Sequence, residues 1–278
     1  MLRPATPDDR PDLIALALAE DAAWSGAPAV SAEEAGEFVD SRGPGVIFER
    51  DGRVAGYAAA GEGGETILLV DPGAGPEPAL EALVAWLGER GHHEVDSYAR
   101  DARRIAWLEG NGFTHRRSFF DLHRGINPPL APAVWPSGVA IAPYRPGEDD
   151  AAVHALIYVD AAWDEVPGHT RRSLEAWRSM LTPEYRGWVA RRDERPIGWV
   201  AARVFDDGRG WVEQLAVART ARGHGLGRAL LLHSLAELRE RGATSLALGV
   251  QGENENAIGL YRAVGFELER DWRVYDNG

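Results

Sequence analysis

The chain has 278 residues, of which 45% are hydrophobic and 26% charged, the balance of a soluble globular protein with one large domain or two ordinary ones. It has no cysteine and all 30 of its basic residues are arginine, which excludes disulfides, thiolate metal sites, a cysteine nucleophile, lysine Schiff bases and a lysine-bearing phosphate loop. The net charge of −13 divides into −10 over residues 1–127 and −3 over residues 138–278, so neither half offers the basic patch that nucleic acid or an anionic membrane requires. No apolar run reaches membrane-spanning length and no signal-peptide pattern opens the chain, so a cytoplasmic protein is expected.

In chain order, "LRPATPDDRPDLIAL" predicts a short strand, a turn and a helix led by acids that suit its N-terminal dipole. "GVIFERDGRVAGYAAA" (45–60) predicts a hairpin turned by Asp51-Gly52. Residues 127–138, "NPPLAPAVWPSG", carry four prolines in twelve positions and predict an extended linker, bounded as 128–137. The same order then recurs. "IAPYRPGEDDAAVHAL" resembles the first stretch, "GWVARRDERPIGWVAA" (187–202) matches 45–60 at an offset of 142, and "YRAVGF" (261–266) matches "LEGNGF" (108–113) at an offset of 153. The growing offset marks small insertions in a duplicated domain.

The second copy is predicted to have a strand near Gly138–Ala142 and helices at about 148–162 and 173–181. Strands follow at 187–193, 196–205 and 210–217, with Asp206-Asp207-Gly208 turning the last pair. A helix at 225–241 carries Leu231, Leu235 and Leu238 as an apolar line; strand 245–250, helix 255–264 and a last strand from 266 complete it. The fold class is α/β, with a mixed sheet: two tandem domains, each a mostly antiparallel central sheet flanked by helices.

"RGHGLGR", Arg222–Arg228, places three glycines at every second position just before a helix. A helix start has unpaired amides and a positive dipole end, and glycines let an anion approach them. The residues alone read either as a phosphate cradle or as a flexible entry turn. A Walker loop is excluded by the missing lysine. A dinucleotide fingerprint is disfavoured, because the spacing is GxGxG and the next strand, "SLALGV", ends without an acid.

"LAV", then "RGHGLGRALL", then "NENAIGLYRAVGF" resemble the GNAT acetyltransferase superfamily. Arg222, Gly225 and Gly227 fill its cofactor-loop pattern; Asn254, Ala257, Leu260, Tyr261, Gly265 and Phe266 fill its second motif. The resemblance covers 138–278 and, more faintly, 1–127. Two such domains in one chain resemble the actinobacterial tandem class that includes mycothiol synthase. The resemblance implies acetyl-CoA as acyl donor, its diphosphate on the amides of Arg222, Gly223, His224, Gly225, Leu226, Gly227 and Arg228. Its pantetheine arm would pair with a splayed strand ending at Leu215-Ala216-Val217.

Alone, Tyr261 on an amphipathic helix reads as structural; within the motif it reads as the general acid for the leaving thiolate. Asn254 is a helix N-cap, to which the resemblance adds a hydrogen bond to the cofactor. Some family members place a glutamate twelve residues before the tyrosine; here that position is Gly249. Glu213, which alternation puts on the face of Leu215 and Val217, is the replacement base, with a structural ion pair as rival. The rings of His224 and His233 are read as without a chemical role. Trp163 and Asp164, with Glu165, either receive a cationic amine or form a solvated loop around a packed tryptophan.

In the first half, aligning Val70 with Val217 turns the loop into "GPEPAL", Gly75–Leu80. Pro76 and Pro78 lack amides, Glu77 repels phosphate, and Leu108 stands where the second half has Tyr261, so residues 1–127 are predicted to be catalytically silent. The expected activity is direct acetyl transfer to the primary amine of a small molecule by residues 138–278. The rival reading is a non-catalytic acetyl-CoA sensor.

Overall fold

The computed structural model describes residues 1–26, 30–41, 43, 45–61, 65–73, 75–127, 129–166 and 171–278, with Asp164 described in its backbone only. They form two compact units: Met1–Asp121 with Val250–Glu255 and Leu268–Gly278, and Leu122–Gly249 with Asn256–Glu267.

In the first unit β1 (Leu2–Pro4), α1 (Arg10–Trp24), α2 (Ala32–Asp40), β2 (Val46–Arg50), β3 (Arg53–Ala60) and β4 (Thr66–Val70) precede α3 (Glu77–Gly88), β5 (Glu94–Tyr98), α4 (Ala102–Gly110) and β6 (Thr114–Gly125). Strands β1-β2-β3-β4 form one antiparallel sheet. Successive residues of β2 and β3 feed opposite faces: Ile47, Tyr57 and Ala59 pack with α1 and α2, while Val46 and Ala58 pack with α3 and α4. Helix α1 is less apolar inside than its position suggests, because it buries Glu20 and Asp21 beside Leu13, Leu16 and Ala17. Glu20 pairs with the buried Arg104, and Asp21 receives Arg270 Nε at 2.9 Å and the Tyr98 hydroxyl at 3.0 Å. Arg270 lies on the last strand of the chain, β12 (Glu267–Asp276), which pairs antiparallel with β5. Strand pairing therefore carries residues 268–278 into the first unit.

In the second unit β7 (Ala140–Pro143), α5 (Asp150–Ala155), α6 (Leu174–Met180), β8 (Arg186–Arg192), β9 (Arg195–Val204), β10 (Arg209–Val217), α7 (Leu226–Glu240), β11 (Ser245–Gln251) and α8 (Glu255–Ala263) follow. The strand order is β11-β10-β9-β8-β7, antiparallel except for the parallel pair β10–β11 that α7 connects. The expected helix at 148–162 changes character halfway: after Ala155 the backbone widens into a π-turn, Leu156–Asp160, and Ala162 then takes a left-handed conformation. The described part of the Pro-rich segment forms neither helix nor strand, and Trp135 there meets the His233 ring edge-on, as Trp188 does.

The repeat holds to the residue. Val46 pairs with Ala58, Ile47 with Tyr57 and Phe48 with Gly56; 142 positions later Trp188 pairs with Val200, Val189 with Trp199 and Ala190 with Gly198. The irregularity also recurs, between Phe48 and Glu49 and between Ala190 and Arg191. Asp51-Gly52 and Asp193-Glu194 make the same turn with positive φ at both central residues. Helix α8 has the bounds of α4 displaced by 153.

Candidate active site

Strands β10 and β11 run side by side only from Arg209↔Ser245 to Val212↔Leu248. A bulge then falls at Glu213, where the β9 register jumps from Val212↔Ala202 to Gln214↔Ala201. Beyond it Gln214–Val217 stay paired with β9, through Val217↔Gly198, and have no strand partner on the β11 side among the described residues. The sheet therefore opens as a V, with Glu213 at its vertex and Val217 at its mouth. This is the opening expected at Leu215-Ala216-Val217. Despite the bulge, exposure alternates along β10: Trp211, Glu213, Leu215 and Val217 are all partly exposed, while Val212, Gln214 and Ala216 are buried.

Arg222–Arg228 lies just past the mouth. Gly223 and Gly225 have φ of +78° and +82°, which requires glycine. Gly227 is different. A Cβ there would meet only Leu260 and Val217, at 3.5 and 3.7 Å, so the protein itself has room for a side chain. The backbone amides of Gly223, His224, Gly225, Leu226, Gly227 and Arg228 have no acceptor among the described residues; Ala229 is the first to bond, to the Gly225 carbonyl at 3.0 Å. A run of six such amides at a positive dipole end fits a diphosphate. His224 adds only its amide to this run, as its Nδ1 lies 2.7 Å from the Arg222 carbonyl. The Arg222 side chain turns back, donating to Val217 O at 3.2 Å and to Ala161 O at 2.7 Å. The second bond, unread in the sequence, ties this loop to the end of the π-turn.

Helix α8 abuts this loop through Leu260 at Gly227 and through Ala263, whose carbonyl accepts from Arg228 at 3.3 Å. Tyr261 on it is buried, its ring edge-on to Phe266 at 6.2 Å. Burial pushes its phenol up to about 12, so it is protonated at neutral pH. No described residue hydrogen-bonds its hydroxyl. Asn254 immediately precedes α8, its amide bonded to the Gln251 carbonyl at 3.0 Å, in the stretch that clusters with the first unit.

Glu213 is half-buried, and its Oε2 receives Trp211 Nε1 at 2.9 Å and the Tyr185 hydroxyl at 3.2 Å. Trp211 lies two residues before Glu213 on the same face of β10, whereas Tyr185 arrives from the turn before β8; neither was singled out in the sequence. Trp163 and Glu165 bound a short 3₁₀ turn in which Glu165 is paired with Arg219. The side chain of Asp164 lies outside the described residues.

The first unit treats its corresponding loop differently. Gly56 packs on Leu83 and Ala79 as Gly198 packs on Leu230 and Leu226, which fixes the alignment at an offset of 147. Pro76 and Pro78 then replace Gly223 and Gly225. The Ala79 and Leu80 amides, equivalent to those of Leu226 and Gly227, are taken by the Pro76 carbonyl at 3.0 and 2.9 Å. Glu77 is held by Arg103 at 2.6 Å, and a cavity of about 90 Å³ remains beside Asp71, Pro76 and Asp101. Leu108 is fully buried at the position of Tyr261, and Asp101 caps α4 by accepting from Arg104 N at 2.9 Å.

A splayed parallel pair, an amide-rich loop at its mouth and a buried tyrosine on the next helix define an N-acetyltransferase built from two GNAT-type halves. The chain belongs to the GNAT acetyltransferase family: the family model described as Acetyltransferase (GNAT) family matches residues 153–266. It is 31% identical over 233 residues to a mycothiol acetyltransferase of Thermomonospora curvata, covering 78% of this chain and 76% of that one. It is 30% identical over 247 residues to a mycothiol acetyltransferase of Rhodococcus jostii, covering 77% and 76%. Among solved structures, a GCN5-related N-acetyltransferase from Sphaerobacter thermophilus superposes with a TM-score of 0.81 at 22% identity, over 99% of this chain and 94% of that one. A tandem GNAT protein from the clavulanic acid biosynthesis pathway gives 0.74 at 16%, over 100% and 98%. No described helix is long and apolar enough to cross a membrane.

Proposed function

We propose that the protein transfers the acetyl group of acetyl-CoA directly to the primary amine of a small molecule, using residues 138–278, and that residues 1–127 are a degenerate, non-catalytic copy. The observation that carries this reading is the run of six amides, Gly223–Arg228, without protein acceptors beside the open edge of β10. Acetyl-CoA supplies the activated acyl group. The chain's own part is to hold the diphosphate on those amides, with Asn254 as a further donor, and to align the pantetheine arm along Leu215-Ala216-Val217. Glu213 takes a proton from the attacking amine, and Tyr261 holds the proton for the departing sulfur. A backbone amide of the open edge polarises the thioester carbonyl. Trp163 and Asp164 border the acceptor side. A small-molecule acceptor agrees with relatives named for mycothiol.

The test is calorimetric binding of acetyl-CoA together with release of free thiol in the presence of a panel of small primary amines. The chain has no cysteine, so the thiol signal has no protein background. Tyr261→Phe is expected to slow turnover about 100-fold or more while acetyl-CoA binding changes less than about threefold. Tight binding by a wild-type protein inert toward every amine would replace this reading with a sensor.

A further inference from the structure

We propose that the Arg222 side chain is a positioning residue for the acceptor amine: it clamps the left-handed turn at Ala162 and so holds Trp163–Glu165 beside the mouth of the V. This rests on the proposed function, in which that segment borders the acceptor side. Ala162 has φ +56° and ψ +51°, a conformation that is costly for any residue with a side chain and persists only where its surroundings enforce it. It is buried and comes two residues after the π-turn, where the Ala161 amide donates to the Leu156 carbonyl at 2.7 Å. If Ala162 relaxed to a right-handed conformation, the peptide unit joining it to Ala161 would have to swing. The carbonyl of that unit is the group that Arg222 Nη2 holds at 2.7 Å. The same guanidinium donates through Nε to the carbonyl of Val217, the last residue of β10, at 3.2 Å. One side chain thus ties the end of the open strand to the peptide that sets the turn. The pair of Arg219 with Glu165, at the far end of the segment, has both side chains more than half exposed and adds little.

The first unit makes the corresponding turn by other means. The second residue after α1 is Gly26, at φ +67°, and glycine takes that conformation freely. At the offset of 147 that relates the two loops, Arg222 corresponds to Gly75, which has no side chain to offer. The strained alanine and the arginine that holds it occur together in one copy and are absent together from the other.

The test compares the KM of an amine accepted from the panel with the acetyl-CoA Kd, in wild type, Arg222→Met, Ala162→Gly and the double variant. Arg222→Met is expected to raise the amine KM about tenfold, because a left-handed alanine is no longer held. Ala162→Gly makes the turn cheap, so it should leave the wild-type KM nearly unchanged and return the double variant to within about threefold of it. Acetyl-CoA affinity lost with the arginine charge would not respond to Ala162→Gly, so the rescue isolates the clamp. An amine KM unmoved in Arg222→Met, or raised there and not restored in the double variant, overturns the proposal. Hydrogen exchange reads the turn without turnover, at the Glu165 and Val166 amides that bond the Ala162 and Trp163 carbonyls at 3.2 and 3.1 Å. Exchange about tenfold faster in Arg222→Met and restored by Ala162→Gly is expected, and unchanged exchange overturns the clamp. A wild type inert toward every amine defeats the proposed function instead, and exchange then decides the clamp by itself.

Discussion

The loop after β4 and the loop after β10 follow equivalent strands at the same register and lead into helices packed on equivalent glycines, yet their backbone amides are disposed differently. In the second unit the chain turns through two left-handed glycines and leaves six amides without an acceptor among the described residues. In the first, two prolines remove amides outright, and the Pro76 carbonyl consumes two more by winding α3 in early. Frame and chemistry are thus separable under the proposed function: the hairpin register recurs in both units, whereas the proposed binding needs a few loop amides and the proposed transfer one side chain of α8.

The contrast also extends to the interiors. The first unit buries two ion pairs, Glu20 with Arg104 and Asp21 with Arg270, with both members of each almost wholly enclosed. Glu20→Ala removes the nearer carboxylate of buried Arg104 and leaves it only Asp101 at 3.4 Å, and the loss expected from urea unfolding is about 3 kcal/mol; a loss below about 1 kcal/mol would mean the pair is replaceable. Asp121, buried near Asp21, Glu269 and Arg270, has its carboxyl raised by burial to about 7. With a folded value above the unfolded one, the native state holds the proton more tightly, so stability is lost as pH rises from the usual carboxylate range to about 7. Asp121→Asn should therefore add about 1–2 kcal/mol in alkaline solution and close to nothing near pH 4, read from melting curves at both ends.

The loops can be set against each other directly. Gly225→Ala forces a side chain into a left-handed φ at about 1–2 kcal/mol, so acetyl-CoA should bind about tenfold more weakly. Pro78→Gly, the reverse change in the first unit, should alter neither binding nor turnover. A gain of a second binding site in the Pro78→Gly calorimetric titration would show that the silent loop is one residue from function. The smallest expected effect concerns His233, which burial holds below its usual value of 6.5. Its contribution is present above that value and lost as pH falls below it, by less than about 1 kcal/mol; His233→Gln should flatten this slope in denaturation midpoints.

Much of this was legible locally. The two hairpins, Asp101 before α4 and the position of the glycine run ahead of a helix each depend on near neighbours in the chain, and these stand where the sequence placed them. Glu213 entered as a candidate by elimination, but the bulge beside it was not predicted, because a bulge is a mismatch between two strands and has no mark in one. Tyr185 and the bond from Arg222 to Ala161 were also unreadable, since each joins segments 28 and 61 positions apart.

Backbone chemistry written into single residues was determined by the sequence itself. Glycine permits the left-handed turns, proline deletes amides, and leucine cannot give up a proton. These are properties of one residue and its neighbours, and they distinguish the two loops. Pairing was decided only in three dimensions: where β10 parts from β11, which donors hold Glu213, and that the last strand completes the first unit beside β5. Those outcomes depend on competition among distant segments for hydrogen bonds and burial, which no stretch of chain resolves alone.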